Sequence, residues 1–144
     1  MAYRLLSISR RLFVVAWLLV LAGCAAQLPS LAANEVRAQQ TVDGITVTLD
    51  SGRAPRVNET QHFRVTLTDE RGRPIDGADV YLELEMDMIC LGGGMPVAEA
   101  VGPGQYALNA VYPMPGDWEV TVHATIASHT YQATFAIPVA EGAG

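Results

Sequence analysis

Residues 80–88 alternate strictly between apolar and polar side chains, and this period of two constrains the fold more than any other feature of the sequence. The apolar set is Val80, Leu82, Leu84, Met86 and Met88, and the polar set is Tyr81, Glu83, Glu85 and Asp87. Successive side chains of a β-strand point to opposite faces, so the pattern predicts a strand buried on one side. A helix would instead repeat its apolar positions every three or four residues.

The same alternation recurs along the rest of the chain. It covers residues 45–49, 63–67, 106–112, 118–126 and 131–137. Turn-forming residues separate these segments, at residues 69–74, 102–104 and 113–117. Short strands with turns about every 8–12 residues are typical of Greek-key and immunoglobulin-like sandwiches. We therefore predict an all-β domain over residues 41–139: an immunoglobulin-like antiparallel β-sandwich of about seven strands, with no helix inside it.

The start of the chain has the features of a bacterial export signal. A positively charged beginning is followed by an apolar run over residues 12–22, which is shorter than the roughly 20 residues that span a membrane. The run ends in Leu21-Ala22-Gly23-Cys24, which resembles the lipobox of bacterial lipoproteins. The resemblance implies a signal peptide over residues 1–23 and lipidation of Cys24. Several acyl chains make a stable anchor, so we expect an extracytoplasmic protein held to the membrane by its lipid.

Two features of this leader leave alternatives open. An ordinary signal peptide with a chance cysteine would give a secreted protein without an anchor. Ser9-Arg10-Arg11-Leu12-Phe13 also resembles the twin-arginine motif, which directs export of folded proteins. The sequence does not decide between the two export routes.

The ends of the predicted domain have no clear periodicity. Residues 24–40 contain few strong core residues, so the lipidated cysteine and a flexible tether are expected there. Residues 140–144 are expected to form a disordered tail.

Charge excludes one class of partner. All nine basic residues are arginine and three of them precede Cys24, so six arginines and fifteen acidic residues lie beyond it, a formal net charge of −9. Such an acidic surface repels phosphate backbones, which bind proteins through lysine and arginine. Nucleic acid is therefore not an expected partner.

Sulfur-bearing side chains cluster around the strongest strand. Residues 86–95 contain Met86, Met88, Cys90 and Met95, and Met114 follows in a turn rich in proline and glycine. In an antiparallel meander, the strand over 80–88 runs up, residues 96–101 come down, and residues 106–112 run up again. Met114 then reaches the end where the other sulfurs lie, and His62 begins the preceding strand at the same end. This topology predicts one rim for these six residues.

Thioether and thiolate ligands suit Cu(I) better than hard cations, and histidine adds affinity for Cu(II). The rim residues also have structural interpretations. Met86 continues the inward face of its strand and can be core filler, and His62 can be a polar residue at a strand start. Cys90 can be a buried inert thiol, a ligand, or a bridge to another chain. His123 is predicted on an exposed strand face and His129 in a turn at the opposite end, so neither is a favoured ligand.

Two motifs resemble a known family. Residues 69–80, Asp-Glu-Arg-Gly-Arg-Pro-Ile-Asp-Gly-Ala-Asp-Val, resemble a signature of extracellular immunoglobulin-like modules, and Met114, Gly116 and Trp118 match an M-x-G-x-W motif. In this order they resemble the YtkA-like domain, related to FixH-type proteins, over residues 42–138. The resemblance implies an immunoglobulin-like fold and a connection to copper and cytochrome-oxidase assembly. A cysteine and a glycine run stand here where members often have Met-Pro-Gly-Met-type steps.

Two functions follow as expectations. The first is a membrane-anchored extracytoplasmic protein that binds copper as Cu(I), buffers it or delivers it to a metal-exchange partner, and serves oxidase assembly. The second is a non-enzymatic immunoglobulin-like interaction module of a cell-envelope complex, without metal. No enzyme activity is expected, because residues 92–94 form a glycine run without the following helix that would hold phosphate, and no Ser-His-Asp arrangement can be placed.

Overall fold

The computed structural model describes residues 35–86 and 94–142, which form two packed antiparallel sheets. The strands are β1 (Glu35–Val42), β2 (Ile45–Gly52), β3 (Thr60–Thr68), β4 (Asp79–Met86), β5 (Glu99–Gly102), β6 (Gln105–Val111), β7 (Gly116–Ile126) and β8 (His129–Val139). The five-stranded sheet has the order β1-β2-β3-β6-β5, and the three-stranded sheet has the order β4-β7-β8. Within the described ranges no helix is long and apolar enough to cross a membrane. The predicted all-β sandwich is confirmed.

The core is made by the apolar positions of the alternating segments. Val80, Leu82 and Leu84 of β4 are each at most 3% exposed. They face a layer from the other sheet that includes Val47, Leu49, Phe63, Val65 and Leu67. Side chains on alternate strand positions therefore fill the space between the sheets, as the period of two requires.

Residues 96–102 connect the two sheets. The backbone N–H of Leu82 donates to the carbonyl of Pro96 at 3.1 Å, and the N–H of Ala98 donates to Val80 at 2.8 Å. Beyond this point the chain leaves β4, and Glu99 in β5 pairs with Ala107 in β6. The segment predicted to come down between two rising strands is therefore present, but it divides its pairing between both sheets. This crossing covers the edge of β4, a common way to protect a strand edge.

Both ends of the predicted domain extend further than expected. Residues 35–40, assigned to the tether, belong to β1, which pairs with β2 along its whole length. The cause is the Asp43-Gly44 turn, whose φ angles of 46° and 80° are those of a two-residue hairpin that matches the twist of its strands. Ala140, assigned to the disordered tail, donates its N–H to the carbonyl of Pro55 at 3.0 Å. Residues 1–34, which contain the predicted signal peptide and Cys24, and residues 143–144 lie outside the described residues.

The module signature at residues 69–80 forms a turn that is held by side chains. Asp69 Oδ1 accepts hydrogen bonds from the backbone N–H groups of Arg71 and Arg73, each at 2.9 Å. The buried Tyr106 hydroxyl accepts from the N–H of Ala78 and donates to the carbonyl of Ile75, each at 3.0 Å. These bonds fix the entry into β4 and so set the register of the strand that leads to Met86.

Candidate functional site

The thioether of Met86 lies against the backbone of Gly116. Met86 is the last residue of β4 and is half-buried, opposite Trp118 in the pairing of β4 with β7. A Cβ atom built on Gly116 would lie 2.9 Å from Met86 Cε and 3.7 Å from its sulfur. Gly116 also has a φ of 136°, a backbone conformation that residues other than glycine rarely adopt. Glycine at this position therefore makes the space that Met86 occupies.

Met114 is held at the same end of β7 through its backbone. Trp118 Nε1 donates a hydrogen bond to the Met114 carbonyl at 3.1 Å, and the Trp118 ring is 1% exposed in the core. The half-buried Met114 packs against that core. The M-x-G-x-W motif thus has a structural basis: the tryptophan anchors the turn that carries Met114, and the glycine leaves room for Met86.

Met95 lies in the segment that enters the crossing between the sheets. Its side chain is 61% exposed, and it lines an open groove of about 370 Å³ together with Leu84, Pro96 and Val111. Leu84 precedes Met86 by two residues and lies on the same face of β4. Met95 is therefore near the end of β4 and is not held by the core.

His62 lies on the outward face of the five-stranded sheet. It pairs with Asn109 of β6, and its Nδ1 atom is 2.6 Å from Asn109 Oδ1. Met86 continues the inward face of β4 in the other sheet. His62 is thus at the predicted end of its strand but on a different face from Met86, and its ring is engaged by an amide. The outward position of His62 could have been predicted from the sequence, because His62 alternates with the buried Phe63 along β3.

Met88 and Cys90 lie within residues 87–93, outside the described residues. Among residues 35–86 and 94–142, no three side chains of histidine, cysteine, aspartate or glutamate come together as a metal-binding group. Near the start of β7, the described part places Met86 against Gly116 and Met114 two residues before that glycine in the chain.

His123 lies on an outward strand face as predicted, but it is buried rather than exposed. Its relative exposure is 6%. The ring stacks on Tyr81, its cross-strand partner, with ring centroids 4.5 Å apart and planes 4° apart. Nε2 lies 2.9 Å from Glu83 Oε2, and buried Nδ1 has no hydrogen-bond partner among the described residues. The sequence could not show this, because Tyr81 covers the ring only once β4 and β7 are in register.

Acidic groups dominate the outward face of the three-stranded sheet. Glu85 of β4 lies directly opposite Glu119 of β7, and Glu83 and Asp117 stand on the same face. Like charges in directly opposed positions destabilise a strand pair. Neither β4, β7 nor β8 contains an arginine to compensate them. This face therefore adds negative potential beside the end of β4 where Met86 lies.

Two antiparallel sheets with interleaved inward faces, joined by a strand that changes sheets, define an immunoglobulin-like β-sandwich module. The chain belongs to the YtkA-like family, whose profile matches residues 39–123, more than half of its 144 residues. The matched range includes both the turn over residues 69–80 and the M-x-G-x-W motif. No curated protein and no solved structure was found to match the chain.

Proposed function

We propose that this protein is an extracytoplasmic accessory domain that binds Cu(I) at the end of β4. The observation that carries the proposal is that Met86 packs against Gly116, two residues after Met114, whose backbone carbonyl accepts a hydrogen bond from Trp118. Thioethers are soft ligands that select Cu(I) over hard cations. An exposed thioether such as that of Met95 also suits buffering and delivery, because a partner can take the metal by ligand exchange.

The proposed ligands divide into a pair that packs against the core and further residues that are added to it. Met86 and Met114 are half-buried and positioned by packing. Met95 is exposed and can reach a metal without disturbing the core. Met88 and Cys90 follow Met86 in the sequence and complete the proposed set. His62 is a secondary candidate for Cu(II), since it would have to exchange its hydrogen bond to Asn109.

The proposal places the domain on a membrane through lipidation of Cys24, on the extracytoplasmic side. An anchored carrier would deliver copper to a metal-exchange partner in the same membrane, as in oxidase assembly. The negative outward face beside β4 favours attraction of cations and of basic partner surfaces. The proposal includes no enzymatic step.

A competition titration tests the metal proposal. Residues 25–144 contain every residue of the core, so this soluble form is titrated with Cu(I) against a chromogenic chelator under reducing conditions. Trp118 is the only tryptophan beyond Cys24, and its contact with the Met114 turn makes its fluorescence a direct reporter of binding. We expect a dissociation constant below about 1 μM, and weaker binding would contradict the proposal.

Matched variants separate ligation from packing. Met86→Leu and Met114→Leu preserve apolar volume, so they cost little stability while removing the sulfurs. We expect at least about a tenfold loss of Cu(I) affinity in the double variant, and a further loss with Cys90→Ser. His129→Gln, in the turn between β7 and β8, is the control that should change nothing. Unchanged affinity in the double variant would exclude the proposed pair.

The second candidate function is a metal-free interaction module of a cell-envelope complex. It is favoured by four exposed apolar side chains near β5 and β6: Met95, Val97, Val101 and Val111. This function predicts that a membrane pull-down recovers one specific partner equally well with the wild type and with the Met86→Leu, Met114→Leu variant. The copper proposal predicts that recovery depends on both the metal and these sulfurs.

A further inference from the structure

Three large apolar side chains are exposed on and beside β5 and β6. Val97 is 74% exposed, Val101 is 56% exposed and Val111 is 49% exposed. A shallow groove of about 320 Å³ is lined by Val97 and Val101 together with Glu99, Ala107 and Asn109. Contiguous exposed apolar surface on a soluble domain marks an interaction site.

A row of charged residues crosses the same sheet at right angles to its strands. In register from β1 to β5, the row is Arg37, Asp50, Arg64, Ala107 and Glu99. Arg37 Nε and Nη2 donate to the two oxygens of Asp50 at 2.7 and 2.9 Å, and Asp50 is 3% exposed. Hydrogen bonding to this carboxylate raises the pKa of Arg37 above its ordinary value. One end of the row is therefore neutralised within the chain.

The other end of the row carries two opposite charges, and the small residue Ala107 lies between them. Arg64 and Glu99 flank Ala107, two strand spacings apart, which is about 10 Å. Within the described ranges neither of them forms a salt bridge. This face thus presents one positive and one negative group on either side of its midline along β6.

We propose that two copies of this chain pack these faces together about a two-fold axis parallel to β6. Such an axis lays β3 of one copy over β5 of the other. Arg64 then meets Glu99 of the partner subunit, and Glu99 meets Arg64 of the partner subunit. An isologous two-fold interface requires this reciprocity. The same arrangement also covers the exposed valines.

The charge distribution favours a second copy over a partner of uniform charge. Residues 25–144 carry a net charge of −9, and the aspartate and glutamate side chains on the outward face of the three-stranded sheet have no arginine in β4, β7 or β8 to compensate them. Two copies therefore repel through that sheet. The alternating row is balanced, and it is complementary to itself when turned over. A strongly basic partner would place positive charge against Arg64, and a strongly acidic partner would place negative charge against Glu99.

The area of contact between the two faces sets the expected stability of the dimer. Three strands about 4.8 Å apart and about 24 Å long give roughly 350 Å² per protomer in projection. This is below the roughly 800 Å² per partner of standard interfaces, so a weak, reversible dimer is expected in solution. Confinement on a membrane would raise the effective concentration and favour the pair. This inference does not depend on copper binding.

Charge reversal tests the axis. Sedimentation of residues 25–144 is measured up to about 1 mM protein. We expect concentration-dependent dimerisation that Glu99→Arg weakens by about tenfold, because each reversal acts at two symmetry-related contacts. Combining Glu99→Arg with Arg64→Glu should restore the affinity. Because Arg64→Glu also stands beside Asp50, folding of each variant is checked by its melting temperature, and Glu99→Arg alone remains decisive.

Glu119→Arg on the acidic face is the matched control. It changes the net charge by the same amount as Glu99→Arg, so relief of general repulsion would strengthen association equally in both variants. Opposite effects of the two substitutions support the proposed face. A wild type that stays monomeric throughout, equal effects of the two reversals, or a charge swap that folds like the wild type but fails to restore affinity would each overturn the proposal.

Discussion

Met86 occupies space that exists only because residue 116 is glycine: a Cβ atom there would lie 2.9 Å from Met86 Cε. The two residues come from β4 and from the first position of β7, and they meet beside the turn that carries Met114. The position of the thioether is therefore set by a backbone feature of a different strand.

Gly116→Ala should displace the Met86 side chain. The methionine end is flexible and can move, while the positive φ costs about 1–3 kcal/mol in folding free energy. We expect a changed chemical shift for the Met86 methyl group and a weaker Cu(I) affinity. Gly72→Ala is the control, because Gly72 has a φ of 73° with no atom within 4 Å of an added Cβ. An unmoved Met86 methyl signal would contradict the geometric argument.

Tyr106→Phe should destabilise the domain by about 1–3 kcal/mol. The hydroxyl is buried and bonds both the N–H of Ala78 and the carbonyl of Ile75, so its removal leaves two backbone groups unsatisfied. Urea unfolding of the soluble form measures the change. A loss below about 0.5 kcal/mol would show that these groups find other partners.

Tyr112→Phe, unlike Tyr106→Phe, should not destabilise the domain. The Tyr112 hydroxyl is fully buried and has no partner among the described residues, so its removal should leave stability unchanged or raise it by up to about 1 kcal/mol. A large loss in urea unfolding would reveal a hydrogen bond to this hydroxyl.

Burial also gives Tyr112 an alkaline signature. Desolvation raises the pKa of Tyr112 above its ordinary value. The unfolded chain loses the phenolic proton near pH 10 while the folded chain keeps it, so the contribution of Tyr112 to stability should be constant below about pH 9 and fall above about pH 10. Melting temperatures across this range should fall less steeply in Tyr112→Phe than in the wild type.

Asp69 should contribute to the loss of stability in acid. Its hydrogen bonds from Arg73, and that from Arg71, lower the pKa of Asp69. A carboxylate with a lowered folded-state pKa stabilises above its unfolded-state pKa of about 3.9, and this contribution is lost as the pH falls below about 4. Asp69→Asn should flatten the acid limb of melting temperature against pH. Asp79→Asn, an exposed position without a described side-chain hydrogen bond, is the control.

Local patterns predicted the strands well where apolar alternation was strong. β1 was missed because only Val36, Ala38 and Val42 are apolar in it, although the Asp43-Gly44 turn signals a hairpin. The change of sheet within residues 96–102 could not be predicted, since it depends on which edge each half of the segment finds. The burial of the His123 ring could not be predicted either, because Tyr81 covers it only when β4 and β7 are paired.

Local sequence patterns were enough to predict the class of fold, the acidic charge and the residues that can bind a soft metal. Periodicity, charge and ligand type are local properties and can be read without knowing the contacts. Strand pairing was needed to place Met86 against Gly116 and to show which face stays exposed. Met86 reaches Gly116 because β4 and β7 pair in one register, His62 faces outward from the other sheet, and Arg64 and Glu99 share a face because β6 lies between them. Such relationships join residues far apart in the chain, so they follow from strand pairing and packing rather than from local composition.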